Sequence, residues 1–316
     1  MKDLIIGCCS GYKWEDVRNW VNSIRRAGFR GDVALVGTDL TKAFMDKLTQ
    51  EGIIVKAYGQ LNRDTGDVIT PKGNQEAPHV QRFFFIWEFL ESTKDHYRYV
   101  VTTDTRDVIF QKDPTGWLEE HLYLNNLVAS SEGIQYKNEP WGRNNILQTF
   151  GMYFHRKMEE NMIFNVGVIA GNFRNVKSLL LMIYQMSIGR SIKVVDQAVF
   201  NMILMDASYQ DTTVYTTNED AWAIQLGTTL PAVQSGAGDL GQNFQNVSFA
   251  HEYGYTDKSP RIEYGIGLIY NQTDTLFNIV HQYDRIPELK KVIDQKYGDN
   301  VNDEFSRPGT TFHIQV

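Results

Sequence analysis

The stretch Tyr97 to Pro114 reads YRYVVTTDTRDVIFQKDP. Its run of aromatic and β-branched residues, Tyr97, Tyr99, Val100, Val101, Thr102 and Thr103, predicts a strand, because such side chains fit a pleated, half-buried surface. Charge then interrupts at Asp104, Arg106 and Asp107, before Val108, Ile109 and Phe110 return to apolar character and Asp113-Pro114 ends the element. Carboxylates set into a buried strand cost free energy unless a cation or a donor pairs with them. The charged turn has two readings. Its Asp side chains bond local backbone amides in a polar turn, or they build a metal and phosphate site at the C-terminal edge of a sheet, where open α/β folds place ligands.

Upstream, the pattern alternates strand and helix. Leu4 to Cys9 predicts a short apolar strand, Ser10-Gly11-Tyr12 a turn, and Trp14 to Ala27 a helix with Val17, Trp20, Val21 and Ile24 on one face. Gly28 and Gly31 end that helix, and Val33 to Val36, Thr41 to Gln50 and Ile53 to Tyr58 follow as strand, helix and strand. This alternation predicts an α/β fold with a mostly parallel central sheet flanked by helices. The first turn has neither the G-x-G-x-x-G spacing of a dinucleotide fold nor the G-K-[ST] of a P-loop. Residues 59–77 are polar and predict a long loop. Pro78 to Ser92 predicts a helix with Val80, Phe83, Phe84, Trp87 and Leu90 on its apolar face. Arg82 sits beside that face, where it either snorkels to solvent or aims its guanidinium at a phosphate.

Downstream, Leu127 to Ser131 predicts a strand that ends at Glu132, and Lys137 to Arg143 (KNEPWGR) a loop rich in groups that bind a polyol. Met162 to Ala170 predicts an apolar strand carrying Asn165 and Gly167, and Gly171-Asn172 turns it into a helix from Val176 to Met186. A further helix is expected from Val194 to Met205, with Asp196 and Gln197 in its first turn. There a carboxylate also complements the helix macrodipole. Val214 to Gly227 reads as strand and turn with Glu219, Asp220 and Trp222, and Gly236 to Gly241 as a flexible loop. Tyr264 to Tyr270 and Leu276 to Val280 are the last expected strands, with His281 closing the second, and Pro287 to Tyr297 is amphipathic. No internal repeat or dividing linker is present, so one domain is expected.

Composition narrows the function classes. The chain has 316 residues, 42% hydrophobic and 22% charged, with a net charge of −7. There is no general basic field for nucleic acid or an anionic membrane, so a phosphate-bearing ligand needs local Arg and Lys or a bound cation. The only cysteines, Cys8 and Cys9, face opposite sides of a strand and make no disulfide framework, which points to a reducing compartment. No apolar run resembles a signal peptide or a membrane span, so a cytoplasmic protein is expected. The sequons at Asn246 and Asn271 then read as chance matches.

Taken together, the N-terminal βαβ half, DTRDVIFQKDP, FNVGVIAGNF, VDQAVFN and IVHQYDR resemble the GT-A fold, nucleotide-sugar-dependent glycosyltransferases, especially the glycogenin-like (family 8-like) branch. The resemblance covers residues 1–297 and leaves a polar tail, 298–316. It implies a single Rossmann-like GT-A domain, with a nucleotide-binding half (1–115) and an acceptor half that carries a metal-ligand strand (116–297). The family's acidic motif reads D-x-D, and this chain departs from it. With VIFQKDP aligned, Asp107 takes the last acidic place, Thr105 falls on the first, and Asp104 lies one residue earlier.

By the same resemblance, Asp107 and His281 are metal ligands, and Asp104 binds either the metal or the ribose. Asn165 and Gly167 line the floor, and Asp196 and Gln197 contact the donor sugar. Ser10, Gly11 and Tyr12 hold the base, with Tyr12 a stacking partner, and Arg82, Thr105 and Arg106 also fall on the donor side. The implied activity is metal-dependent transfer of a hexosyl or pentosyl group from a nucleotide sugar to a glycan or other hydroxyl acceptor, with retention. UDP is the default base, GDP stays open, and Mn2+ or Mg2+ neutralises the leaving diphosphate. An inverting enzyme would instead need a carboxylate base, for which Asp220, Asp196 and Glu132 are the candidates. Two other classes compete. A haloacid-type phosphatase places its two aspartates two apart near the N-terminus, unlike Asp104 and Asp107. A non-catalytic nucleotide-sugar or glycan-binding protein would use the 59–77 loop and KNEPWGR.

Overall fold

Strand β1 (Lys2–Ser10) carries Leu4, Ile5 and Ile6, all without exposed surface. A strand apolar on consecutive residues is buried on both faces, which requires helices above and below the sheet. A computed structural model, describing residues 1–71, 76–93, 96–122, 126–235 and 260–298, has that architecture. Helix α1 (Trp14–Arg26) follows β1, then β2 (Asp32–Thr38), α2 (Lys42–Gln50) and β3 (Ile54–Ala57). The acidic residues of α1 (Glu15, Asp16) lie in its first turn and the basic ones (Arg25, Arg26) in its last, as the helix macrodipole favours.

The segment expected as a bare loop, 59–77, contains a short antiparallel pair, β4 (Gln60–Leu61) and β5 (Val68–Ile69). After it come α3 (Pro78–Ser92), β6 (Tyr97–Thr103), β7 (Val108–Phe110), α4 (Pro114–His121), β8 (Leu127–Gln135), α5 (Pro140–Met158), β9 (Met162–Asn172), α6 (Phe173–Ser187) and α7 (Asp196–Ile203). Then follow β10 (Thr213–Thr216), β11 (Ala223–Gln225), β12 (Arg261–Glu263), β13 (Leu268–Tyr270), β14 (Ile279–His281) and a helix, Pro287–Lys296. The Gly236 to Gly241 loop, Asn246 and the tail beyond Gly298 lie outside the described residues.

The main sheet has seven strands in the order β10-β8-β9-β6-β1-β2-β3. Only β9 runs antiparallel to its neighbours, β6 and β8. Ile5 packs with Trp20, Val21 and Ile24 of α1 on one face, while Leu4 and Ile6 pack with Val80, Phe83 and Ile86 of α3 on the other. Cys9 and Cys8 divide between the same two faces. A second sheet of three strands, β11-β14-β7, stands against the first and has its own core of Ile109, Ile224, Val280, Leu289 and Ile293. Among the described residues no helix is long and apolar enough to cross a membrane.

Two expectations are corrected. KNEPWGR is not a loop, because α5 begins inside it. Pro140 sits in the first turn, where its missing N–H is no loss, and the Glu139 carboxylate accepts from the N–H groups of Trp141 (3.0 Å) and Gly142. The last strands are also shorter than expected: residues 264–267 turn, and Leu268–Tyr270 pairs with β12. Asn271 is buried, with its side-chain Oδ1 accepting from the N–H groups of Thr273 (3.0 Å) and Thr275 (2.8 Å).

One contact ties α1 to the end of β6: the buried Trp20 indole donates to Thr103 Oγ1 at 2.9 Å. Trp20→Phe keeps most of the apolar burial and removes that donor. It is expected to lower stability by about 1–3 kcal/mol, read as a lower urea midpoint with an unchanged slope. An unchanged midpoint would show that the hydrogen bond contributes nothing.

Candidate functional site

Strands β2 and β3 lie on one side of β1 and β6 on the other, so the strand order reverses between β1 and β6. Ligands in open α/β sheets bind in the crevice beyond the carboxyl ends of the strands at such a point. At the end of β1, Gly11 takes a left-handed φ of 66° and its N–H donates to the Thr38 carbonyl at 3.1 Å. Ser10 Oγ accepts from Thr38 Oγ1 (2.9 Å) and reaches Asp39 Oδ2 (3.4 Å). The Asp39 carboxylate in turn accepts from the N–H and hydroxyl of Thr70, each at 2.8 Å, which fastens the 59–77 segment to this turn. Tyr12 is half-buried beside the core under the same turn. Burial raises its phenol pKa, against the pull of Arg106 and with the support of Asp104 and Asp107.

At the end of β6 the Asp104 N–H donates to the Gly167 carbonyl of β9 at 2.9 Å. Asp107 immediately precedes β7, and its carbonyl accepts from the Gln282 N–H at 2.8 Å. His281 ends β14, opposite Val108 of β7 on one side and Gln225 of β11 on the other. These pairings bring the three side chains together. His281 Nε2 lies 3.5 Å from Asp104 Oδ2 and 3.7 Å from Asp107 Oδ1, and ligand atoms of all three fall within 4.8 Å of one another. Asp107 and His281 are buried, while Asp104 keeps 32% of its side chain open.

The electrostatics follow from that packing. Burial disfavours both charged forms, yet Asp107 and then Asp104 outweigh it at His281 and raise the imidazole pKa. Burial raises Asp107 against the attraction of His281. Burial also acts on Asp104, but Arg82 and then His281 hold its carboxyl well below the usual carboxylate range.

The three groups fit a hard divalent cation. Two carboxylate oxygens and an imidazole nitrogen are donors suited to manganese or magnesium. Gly167 leaves the space: a Cβ there would stand 2.5 Å from His281 Cε1 and 2.9 Å from Asp104 Oδ2.

Arg82 does not snorkel outward, and only 15% of its side chain is exposed. Its guanidinium pairs with Asp104 and, at 2.8 Å, with Asp196 Oδ2 at the start of α7. Burial opposes its charge, but Asp104 and Asp196 prevail and raise its pKa. Asp196 is buried, so it does more than begin a helix: it faces the same guanidinium as Asp104. Cys8 borders this bridge, and burial pushes its thiol up to about 12, so it stays protonated at neutral pH.

The other expected site residues are placed as follows. Asn165 Oδ1 accepts from the Gly167 N–H (2.7 Å) and its Nδ2 donates to Glu132 Oε1 (2.7 Å), which joins Glu132 to the floor under the cluster. A bulge makes this possible, since adjacent residues Ala129 and Ser130 of β8 pair with Ile169 and Asn165 of β9. Gln197 is partly exposed, one residue past Asp196. Thr105 is buried, its methyl lying where a Cβ on Gly7 would be. Arg106 is exposed, and its carbonyl accepts from the Tyr283 hydroxyl at 3.1 Å. Asp220 folds back on its own turn, accepting from the Thr217 N–H (2.6 Å) and hydroxyl (3.2 Å). Sequence reasoning missed Gln225 and Asp39, whose neighbours come from strand pairing and from a left-handed turn at Asp39 (φ 55°).

Arg82→Met is expected to destabilise the protein by about 3–5 kcal/mol, because it leaves two carboxylates facing each other without their cation. Adding Asp196→Asn to that variant should restore part of the loss, a coupling of about 0.5–3 kcal/mol in a double-mutant cycle read by denaturant unfolding. Strictly additive losses would mean that Arg82 and Asp196 do not interact.

No protein-family model matches the chain, and no curated protein matches it in sequence. Solved structures do resemble it. The glycosyltransferase GlyE of Streptococcus pneumoniae TIGR4 is 15% identical over 89% of this chain with a TM-score of 0.47, and its apo form gives 15% and 0.45. This chain spans about half (54%) of the length of GlyE. The galactosyltransferase LgtC, solved with donor and acceptor sugar analogs, is 12% identical over 95% of this chain and 98% of its own, with a TM-score of 0.51. With its seven-stranded, mostly parallel sheet flanked by helices, the chain has the GT-A fold seen in LgtC.

Proposed function

We propose that this protein is a metal-dependent glycosyltransferase that moves a sugar from a nucleotide sugar, with UDP the favoured nucleotide, to the hydroxyl of a carbohydrate acceptor. The observation that carries the proposal is the convergence of Asp104, Asp107 and His281 at the switch-point edge of a GT-A fold. Those three residues would hold a manganese or magnesium ion, whose charge neutralises the departing diphosphate. The turn Ser10-Gly11-Tyr12, at the end of the neighbouring strand, receives the base, with Tyr12 offering a ring face. Arg106, exposed beside the acidic pair, supplies a cation on the donor side. Residues 1–115 thus form the nucleotide half and 116–297 the acceptor half.

Asp196 and Gln197 face the sugar in this reading, and Arg82 sets the position of Asp196. Retention is favoured by the state of the candidate bases. Asp196 is bound to Arg82, Glu132 to Asn165, and Asp220 to its own turn. A base for inversion must be within hydrogen-bond reach of the acceptor hydroxyl and ready to take its proton. Carboxylates already committed to donors serve that role poorly and orient their neighbours well.

Asp107→Ala and His281→Ala are each expected to weaken manganese-dependent UDP binding roughly tenfold or more, measured by calorimetry, with cooperative unfolding retained. The double variant should be little worse than either single one, because both act through one ion and such effects do not add. Gly167→Ala should behave like them, since its methyl would enter the space between His281 and Asp104. UDP binding that ignores manganese in the wild-type protein would end the proposal. Asp196→Asn is expected to lower turnover of a UDP-sugar strongly with nucleotide affinity nearly intact, the signature of an interaction made mainly in the transition state. Near-normal turnover would remove Asp196 from the catalytic set.

A further inference from the structure

His281 has two ring nitrogens, and only one of them faces the acidic pair. Nε2 looks toward Asp104 and Asp107, while Nδ1 lies 2.6 Å from Gln225 Oε1. Gln225 is 1% exposed, and its Nε2 has no hydrogen-bond partner among the described residues. The contact is built by the fold: β11 and β14 run parallel with Gln225 opposite His281, so both side chains leave the same face of the small sheet. An imidazole that offers its Nε2 lone pair to a cation must keep its ring proton on Nδ1. That proton needs an acceptor, and in this buried place the Gln225 carbonyl oxygen is the group in reach.

We propose that Gln225 is a positioning residue that holds His281 in the Nδ1–H tautomer, with Nε2 directed at the cation shared with Asp104 and Asp107. The proposal rests on the cation-binding reading above. Histidines that bind metals commonly donate their second N–H to a carboxylate or a carbonyl. Here a neutral amide suits the surroundings. A carboxylate at 225 would add another negative charge beside Asp104, Asp107 and Glu132, whereas the amide orients the ring without doing so. The reverse amide orientation would turn its N–H toward Nδ1, and the ring proton would then sit on Nε2 where the cation belongs.

The test titrates Mn2+ alone into the full chain and follows free Mn2+ by electron paramagnetic resonance. Gln225→Met, similar in size but without the acceptor, is expected to weaken Mn2+ binding roughly tenfold to a hundredfold. Gln225→Glu, which keeps an acceptor, should restore binding to the wild-type level or above. Nitrogen-15 shifts of His281 in the Mg2+-loaded wild-type protein should show Nδ1 protonated and Nε2 bare. Mn2+ binding by Gln225→Met equal to wild type, no rescue by Gln225→Glu, or a protonated Nε2 in the loaded protein would each overturn the assignment. Should Gln225→Met fail to fold, the nitrogen shifts of wild type and Gln225→Glu decide the question. Loss of the effect with normal wild-type Mn2+ binding overturns the positioning role alone. No Mn2+ binding by the wild-type protein overturns the cation site as well.

Discussion

The structure turns on one imbalance of buried charge. Asp104, Asp107 and Asp196 converge at the edge of the sheet, and among the described residues Arg82 is the permanent cation that pairs with two of them. Leaving a buried carboxylate uncompensated is strongly destabilising, so the remaining negative charge has to be met by a proton or a cation. At His281 the neighbouring carboxylates Asp107 and Asp104 outweigh burial and raise the imidazole pKa, whereas at Asp107 burial itself raises the carboxyl. Arg82 satisfies Asp104 and Asp196, and His281 stands where the remaining demand is greatest.

The neighbouring architecture exists to hold that arrangement still. Asp104, His281 and Gln225 lie at or next to strand ends and Gly167 lies in the middle of β9, where backbone hydrogen bonds fix position more tightly than a loop does. Two sheets contribute: β6 and β9 from the large one, and β7, β11 and β14 from the small one. The link between them is the short turn from Asp104 to Asp107, with the Gln282 N–H donating to the Asp107 carbonyl. The bulge in β9 matters for the same reason. It breaks the register with β8 between Ile169 and Asn165, where the Asn165 side chain accepts from the Gly167 N–H, while the regular β6–β9 ladder runs on to the bond between the Asp104 N–H and the Gly167 carbonyl. Bulges beside functional sites commonly re-aim a strand in this way.

The face that would receive a nucleotide is built differently. Ser10 at the end of β1, Asp39 after β2 and Thr70 after β5 are joined by hydrogen bonds to the Asp39 carboxylate. Asp39 takes a left-handed φ of 55° there.

Much of this could be read from the chain. Alternating strand and helix patterns report local burial, and local burial is set by which residues are apolar at which spacing. So β1, α1, β2, α3 and β6 fall close to their expected limits, and the acidic turn after Thr103 marks the sheet edge that matters. The family-like motifs also placed Asp107 and His281 in one neighbourhood. Pro140 and Gly142 carry the signals of a loop, yet they open a helix, because the Glu139 carboxylate caps its first turn. Tertiary structure alone decided who meets whom. Arg82 could have snorkelled, Thr105 could have taken the ligand position of the D-x-D pattern, and Gln225 carried no signal. Each of those outcomes depends on strand order and register between segments far apart in sequence, where a slip of one residue turns a side chain to the opposite face. Sequence periodicity determines which face of each element is buried; the pairing of distant strands determines which side chains share that burial.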